Sequence, residues 1–432
     1  MKCGSFFNKA IVLLVLVLCF IIAFGQGIKP GKNFIDADEL LYVYYAGLFK
    51  SFFITHNFDN VFWHSDFNCE PAPVGVYVIG LTLFLSPYSY MLAEPTKLFL
   101  FTGPNNVPHS GFERWQDIQQ HPFPYVREMI SILRPRMLIF RAFCYILVFI
   151  FSWYLGTYFC AALSLYFFLN NGMFLWFSSF VLLESVWLFE HLLNLLLIFL
   201  FLSLWQKEKR PLALLLFLSF SIGLTQGLLA GTKIHGALNI VILAVCLFLI
   251  CVRQLLLRKV TIRDLLLLLT HLGIVVCVSF VVFAALNPMF FNANHFLVIR
   301  EIIKTRFSIF AHQAAYYPDS ALPTILSRLN YVVQRFISVE LNPAECLLFL
   351  VGLFFLVLNA WRTFLKQGKV GICSLILVGF FTELGAILFF MQAAAVRYLV
   401  VLTPYLSLFM GYGVYSLGIE ICRMIERRRL RM

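Results

Sequence analysis

Long apolar runs alternate with short polar breaks from residue 10 almost to the end of the chain. Ten runs stand out, at 10–27, 137–157, 158–171, 186–205, 211–231, 236–252, 264–286, 345–364, 370–390 and 398–418. Most approach the roughly 20 residues that an α-helix needs to cross about 30 Å of hydrocarbon; 158–171 is the shortest. A helix satisfies its own backbone hydrogen bonds inside a bilayer. Serial runs of this kind therefore predict an all-α, polytopic integral membrane protein of about ten transmembrane helices. Composition agrees, with 61% hydrophobic and only 12% charged residues. A soluble surface typically carries about 25–35% charged residues, so a soluble enzyme, a nucleic-acid-binding domain and a secreted disulfide scaffold are excluded.

The net charge of +12 changes the picture only through its distribution. Lys2 and Lys9 precede the first run and predict a cytoplasmic N-terminus. Alternating from there, the same side receives Lys207, Lys209 and Arg210, then Arg253, Arg258, Lys259 and Arg263. Arg362, Lys366 and Lys369 follow, and finally Arg423, Arg427, Arg428, Arg429 and Arg431. This is what the positive-inside rule expects, with both termini cytoplasmic, and no nucleic acid is needed to explain it. Residues 1–27 read as a first transmembrane helix. The rival reading, a cleaved signal peptide, lacks an A-x-A pattern after a rather long apolar stretch. Most of the 11 cysteines lie in apolar runs, where Cys acts as a small hydrophobe; Cys69 stands clearly in an outer loop.

Residues 73–92 are apolar enough to cross, but a crossing there would turn every later basic cluster outward. The segment is therefore expected to lie on, or dip into, the outer face, and Pro87 with its polar neighbours agrees. The chain then divides into the first helix at 1–27, an outer loop at 28–135 with interfacial helices, and a transmembrane core at 136–286. That core contains a second outer loop near 172–186. A large outer loop at 287–344 precedes the C-terminal helices and basic tail at 345–432. Long loops on a rigid scaffold are where function tends to sit, and the large ones share a side.

These outer segments hold the candidate chemistry. Asp36, Asp38 and Glu39 crowd three carboxylates into four residues just past the first span. Crowding of this kind raises at least one pKa and can leave a general base; the plainer alternative is a helix start with acids favoured by its dipole. His64 and Asp66 are candidate metal ligands, although an H-x-D pair is more often loop decoration. Glu184 stands at the outer mouth of a span, where an acid needs water or a partner, and Glu190 and His191 lie deeper in the same span. On the same side fall Lys233, Arg300 and Lys304 at i,i+4 spacing, and Arg397 followed by Tyr398. Cations at a lipid–water boundary can hold a phosphate; the alternatives are an ordinary helix face for Arg300 and Lys304 and snorkelling for Arg397. No P-loop, dinucleotide fingerprint, nucleophile elbow or zinc signature occurs in the chain.

Taken in order, these features resemble the GT-C membrane glycosyltransferases that use polyprenyl-phosphate sugars, above all protein O-mannosyltransferases and aminoarabinose transferases acting on lipid A. The resemblance runs over residues 30 to 410. It rests on Asp38-Glu39 with Tyr42, Glu70-Pro71-Ala72-Pro73, Arg136 or Arg141, Leu182-Leu183-Glu184-Ser185, Gly227 to Gly236 with Thr232-Lys233, Asn287-Pro288, and Arg397-Tyr398 with Pro404. The chain departs from the family pattern in having Glu for Asp at 184 and a split Pro-Pro.

The resemblance implies transfer of a sugar from a polyprenyl-phosphate donor to an acceptor hydroxyl on a glycolipid or protein, at the periplasmic or lumenal face, with inversion. Within Asp36, Asp38 and Glu39 it favours Asp38 as base. Glu39 and Glu184 would position acceptor or sugar hydroxyls. Asp36, Tyr42, Lys233, Arg300, Lys304, Arg397 and Tyr398 would attend substrate and phosphate. No cofactor is implied with certainty and a divalent metal stays open. Membrane lipids are the remaining partners, and a bacterial inner membrane is favoured over an endoplasmic reticulum. Two rivals are a flippase or transporter for a lipid-linked glycan, which predicts ionisable groups near the midplane, and an O-antigen-ligase-like transferase.

Overall fold

The computed structural model describes residues 14–15, 17–26, 37–58, 73–92, 126–256, 261–291, 297, 300, 304 and 320–430. Its helices are Ala37–Tyr45 (α1), Leu48–Phe53 (α2), Val74–Phe84 (α3), Val126–Leu155 (α4), Tyr158–Leu169 (α5), Gly172–Phe177 (α6) and Leu183–Trp205 (α7). They continue as Leu212–Thr232 (α8), Leu238–Leu256 (α9), Ile262–Leu286 (α10), Ile325–Arg335 (α11), Pro343–Gln367 (α12), Ile372–Phe390 (α13) and Thr403–Arg429 (α14). Among the described residues, α4, α7, α8, α9, α10, α12, α13 and α14 are long and apolar enough to cross a membrane. The first apolar run is also helical where it is described, and its Cys19 and Ala23 are buried against the bundle.

Two expected boundaries move. Helix α4 starts at Val126, so the outer loop expected to end at 135 gives way to helix ten residues sooner. The reason is an amphipathic turn pair: Met129, Ile130, Leu133 and Met137 are buried on one helical face, while Glu128, Ser131 and Pro135 face outward. The run at 158–171 is a 12-residue helix of about 18 Å, too short to span alone. It stops at Asn170, and Asn171 caps a second short helix, α6, by accepting the Phe174 N–H at 2.9 Å. The segment 73–92, expected on the outer face, forms the 11-residue α3 and a short turn.

Capping chemistry sets several other ends. Reciprocal capping boxes start α10 at Thr261 with Asp264, α11 at Thr324 with Ser327, and α12 at Asn342 with Glu345. Helix α12 closes on Gly368, whose φ of 66° is a left-handed position that glycine adopts without strain. Within the bundle, small residues let backbones approach. Gly223 and Gly227 of α8 lie against Val275, Val278, Ser279 and Val282 of α10. Gly352 of α12 faces the Phe409 carbonyl of α14. Close contact of this kind supplies dispersion attraction where lipid offers no hydrophobic drive.

The bundle has two distinct ends. At one, Gln206 donates to Val370 and receives its N–H, Arg210 pairs with Asp264, and Arg253 donates to the carbonyls of Phe364 and Leu365. The other end gathers Glu39, Arg134, Glu184, Lys233 and Tyr398. There α1, α2, α3 and the start of α4 build a second apolar core, rich in aromatic rings, with Tyr42, Phe49, Phe52 and Tyr77 packed near Phe180, Val181 and Leu183. This aromatic cap rests directly on the beginning of α7.

Candidate active site

The polar end is assembled around the turn that feeds α7. Buried Arg141 of α4 donates to Ser178 Oγ at 2.7 Å and Ser179 Oγ at 2.6 Å, to the Leu175 carbonyl at 3.1 Å, and to the Ala23 carbonyl at 3.4 Å. Two residues on, the Val181 N–H donates to Glu39 Oε1 at 2.8 Å. Glu39 is fully buried and grips Arg134 in a two-armed pair, Nε to Oε1 at 2.8 Å and Nη2 to Oε2 at 2.6 Å. The sequence expectation for Glu39 was a group facing acceptor or sugar; both its oxygens are instead engaged inside the fold. Arg136 ties α4 to α3 through the Thr82 carbonyl, and so neither Arg136 nor Arg141 belongs to the cleft described below.

These ties fix the start of α7, whose residues 184, 187 and 191 share one helical face. Glu184 is buried, and its Oε1 accepts from Lys233 Nζ at 2.7 Å. Lys233 comes from the point where α8 ends in extended backbone and turns through Ile234–Ala237. Gln226 holds that turn by donating to the Gly236 carbonyl at 2.6 Å. The Lys233 ammonium also lies over the Trp187 ring, 5.1 Å from its centroid, a cation–π contact. Arg397 acts on the Glu184 charge as a second cation and lies 5.7 Å from the Tyr398 ring. The Tyr398 ring in turn meets the ring of His235 at 5.7 Å.

Beside this cluster lies a narrow cleft open to solvent. Trp187, Lys233, His235, Glu383, Phe390 and Tyr398 are among its walls. Glu383 reaches it from α13 and stands 3.6 Å from His191 Nδ1, while His191 Nε2 and the Tyr405 hydroxyl are hydrogen-bonded at 2.9 Å. The far wall is held by Arg328 of α11. Its guanidinium donates to the carbonyls of Leu388 and Phe389, both at 2.9 Å, which satisfies the open end of α13.

The fold thus brings together four of the residues singled out in the sequence: Glu184, Lys233, Arg397 and Tyr398. It adds three that sequence reasoning did not assign, Trp187, His235 and Glu383. Glu383 had one signal, an acid inside an apolar run; Trp187 stands three residues, almost one helical turn, beyond Glu184. Tyr42 is buried in the aromatic cap, and Arg300 and Lys304 are exposed helical positions that do not line the cleft. Asp38 belongs to α1, next to Glu39. Asp36, His64 and Asp66 lie outside the described residues. Among the described residues, no three His, Cys, Asp or Glu side chains gather as a metal site.

No family model matches this sequence, and no curated protein matches it. Solved structures do share the fold. An oligosaccharyltransferase of Archaeoglobus fulgidus, tethered to an acceptor peptide with the NVT sequon, superposes with a TM-score of 0.56 at 15% identity over 96% of this chain. The same archaeal enzyme, AglB, in complex with an inhibitory peptide and a dolichol-phosphate, gives 0.55 at 14% identity over 98% of the chain. The chain spans about half the length of these structures, 50% and 52%. The shared architecture is the GT-C membrane fold.

Proposed function

We propose that this GT-C-fold membrane protein transfers a sugar from a polyprenyl-phosphate donor to a hydroxyl acceptor at the polar end of its bundle. The observation that carries the reading is the Glu184–Lys233 pair beside Arg397, at the mouth of a cleft walled by Trp187 and Tyr398. An anionic leaving group needs cations where its charge develops, and a low-dielectric boundary strengthens them. Lys233 and Arg397 supply those cations. Glu184 is a positioning residue here: it holds the ammonium in place through one oxygen and so aims its other hydrogens at the cleft.

In this reading Asp38 accepts the proton of the acceptor hydroxyl. The acceptor oxygen forms its bond to the anomeric carbon as the bond from that carbon to the phosphate oxygen breaks, with the electron pair leaving on phosphate. Attack from the opposite face inverts the centre. Asp38 is suited by its neighbour, because Glu39 is locked to Arg134 and the Val181 N–H and thereby fixes α1 against the turn that leads to Glu184. The archaeal neighbour's dolichol-phosphate ligand and acceptor peptide are consistent with a lipid-linked donor and a separate acceptor.

The test uses purified protein in lipid with a panel of polyprenyl-phosphate hexoses and native membrane extract as acceptor. Release of polyprenyl phosphate that requires Lys233 and collapses in Asp38→Asn is the expected result. Release indifferent to both substitutions overturns it. A transport reading draws on the buried Glu190, His191 and Glu383 within the spans. It requires uptake of lipid-linked sugar across sealed vesicles without any phosphate release.

A further inference from the structure

Arg328 of α11 is 7% exposed and directs its guanidinium at main-chain carbonyls on two sides. Nε donates to Leu322 at 2.8 Å and Nη2 to Pro323 at 3.3 Å, both in the segment that enters α11. Nη1 donates to Leu388 and Phe389 in the last turn of α13, both at 2.9 Å. The same two segments are joined backbone to backbone just beyond. The Leu322 N–H donates to the Gln392 carbonyl at 2.7 Å, and the Ala394 N–H to the Ser320 carbonyl at 2.8 Å. Ala321 and Ala393 face each other between these bonds as an antiparallel pair. A buried arginine and a short ladder thus clamp the chain that leaves α13.

That chain leads directly into the site. Arg397 follows on the 3-10 turn Val396–Leu402, which packs against α6, α7, α13 and α14 and buries Leu399, Val400, Val401 and Leu402. Between α13 and this turn, Met391 and Ala395 are extended, so no helical ladder fixes the stretch and the clamp supplies the constraint. We infer that Arg328 is a positioning residue for Arg397. By tying the entry of α11 to the exit of α13, it sets where the Arg397 guanidinium stands beside Glu184 and Lys233. A planar fork that bonds carbonyls of two segments in fixed directions holds both in register, and a lysine cannot reproduce it. The inference rests on the proposed reaction in one respect, that Arg397 faces the donor's phosphate.

The experiment reads phosphate binding apart from turnover. Full-length protein in detergent micelles is titrated with undecaprenyl phosphate, and bound lipid is counted by native mass spectrometry. Arg397→Gln should weaken binding on the order of ten-fold, the scale of one charge-assisted hydrogen bond. Arg328→Lys should weaken it comparably and speed amide exchange across residues 392–402. The double substitution should be no worse than Arg397→Gln alone, because one residue acts through the other. A covalent clamp supplies the rescue. Opposed residues of an antiparallel pair stand about 4.5–5.5 Å apart at Cα, within disulfide reach. Ala321→Cys with Ala393→Cys, oxidised, should return native binding to Arg328→Lys, and reduction should remove it again. Unfolding curves are measured beside each variant.

Losses that add in the double substitution overturn the positioning role. An oxidised cysteine pair that restores the fold of Arg328→Lys without restoring its binding does so too, which covers the case of a poorly folded variant. The two proposals separate cleanly. Weak binding by Arg397→Gln beside native binding by Arg328→Lys removes the positioning role and leaves the reaction. Native binding by Arg397→Gln, with faster exchange across 392–402 in Arg328→Lys, removes the phosphate reading and leaves the clamp.

Discussion

Glu39 and Arg134 stand 95 positions apart in the chain and meet in a two-armed ion pair whose carboxylate is wholly shielded from solvent. The pair joins α1 to α4, and the Val181 N–H extends it to the turn that starts α7. The cap carrying Asp38 is thereby fixed to the turn that leads into Glu184.

Breaking that pair from one side should destabilise the protein strongly. Arg134→Met leaves an uncompensated buried carboxylate, which costs about 3–5 kcal/mol. The double substitution Glu39→Leu with Arg134→Met should recover much of the loss, since an apolar pair of similar volume is tolerated. Thermal unfolding in detergent for the two singles and the double checks this, and equal destabilisation by all three would contradict it.

Asp38→Asn should fold and bind lipid as the native chain does, yet lose on the order of 10²–10⁴-fold in transfer rate, the range general-base assistance supplies. Measured release of polyprenyl phosphate, with unfolding monitored in parallel, decides the point.

Glu184→Gln should act through Lys233. Removing the charge that holds the ammonium loosens its aim, so KM for the lipid donor should rise on the order of ten-fold, the worth of about 1.5 kcal/mol of charge-assisted hydrogen bond. Lys233→Arg should not restore function, because a planar guanidinium does not replace a point charge seated between Glu184 and the Trp187 face. Steady-state kinetics with varied donor separates this from a loss in kcat alone.

Gly352→Ala should lower stability by about 1–3 kcal/mol, because a Cβ there meets the Phe409 backbone and α12 must move away from α14. Gly385→Ala, in α13, meets nothing and should be neutral or mildly stabilising. Paired unfolding curves test the contrast, which depends on helix spacing and not on helix propensity.

Most of the bundle was legible in the sequence, because a span announces itself by length and uniform apolarity. The exceptions have local causes. The start of α4 was hidden because residues 128–137 alternate buried and exposed positions in a helical pattern too polar to read as a span. The run at 158–171 looked continuous until Asn170 and Asn171 ended one helix and capped the next. At the site, Glu184, Lys233, Arg397 and Tyr398 could be picked out as ionisable or aromatic groups at span ends on one side. The role of Glu39 could not, because full burial of a carboxylate depends on Arg134 arriving from another helix. Trp187 and Glu383 were equally opaque: a tryptophan in an apolar run and an acid within another gain meaning only when α7 and α13 bring them to one cleft.

The cleft draws its walls from residues 187, 233, 235, 383 and 398, so they leave the ribosome in widely separated episodes. During synthesis the cap and α7 are delivered first, and Glu184 enters the bilayer boundary before the lysine that neutralises it has been made. For those seconds the half-built bundle carries an unmatched acid at its rim, and Glu39 already has Arg134. The early partner secures the cap while the late ones are awaited. The polar cluster is therefore complete only once the turn at Val396–Leu402, which carries Arg397 and Tyr398, has been made.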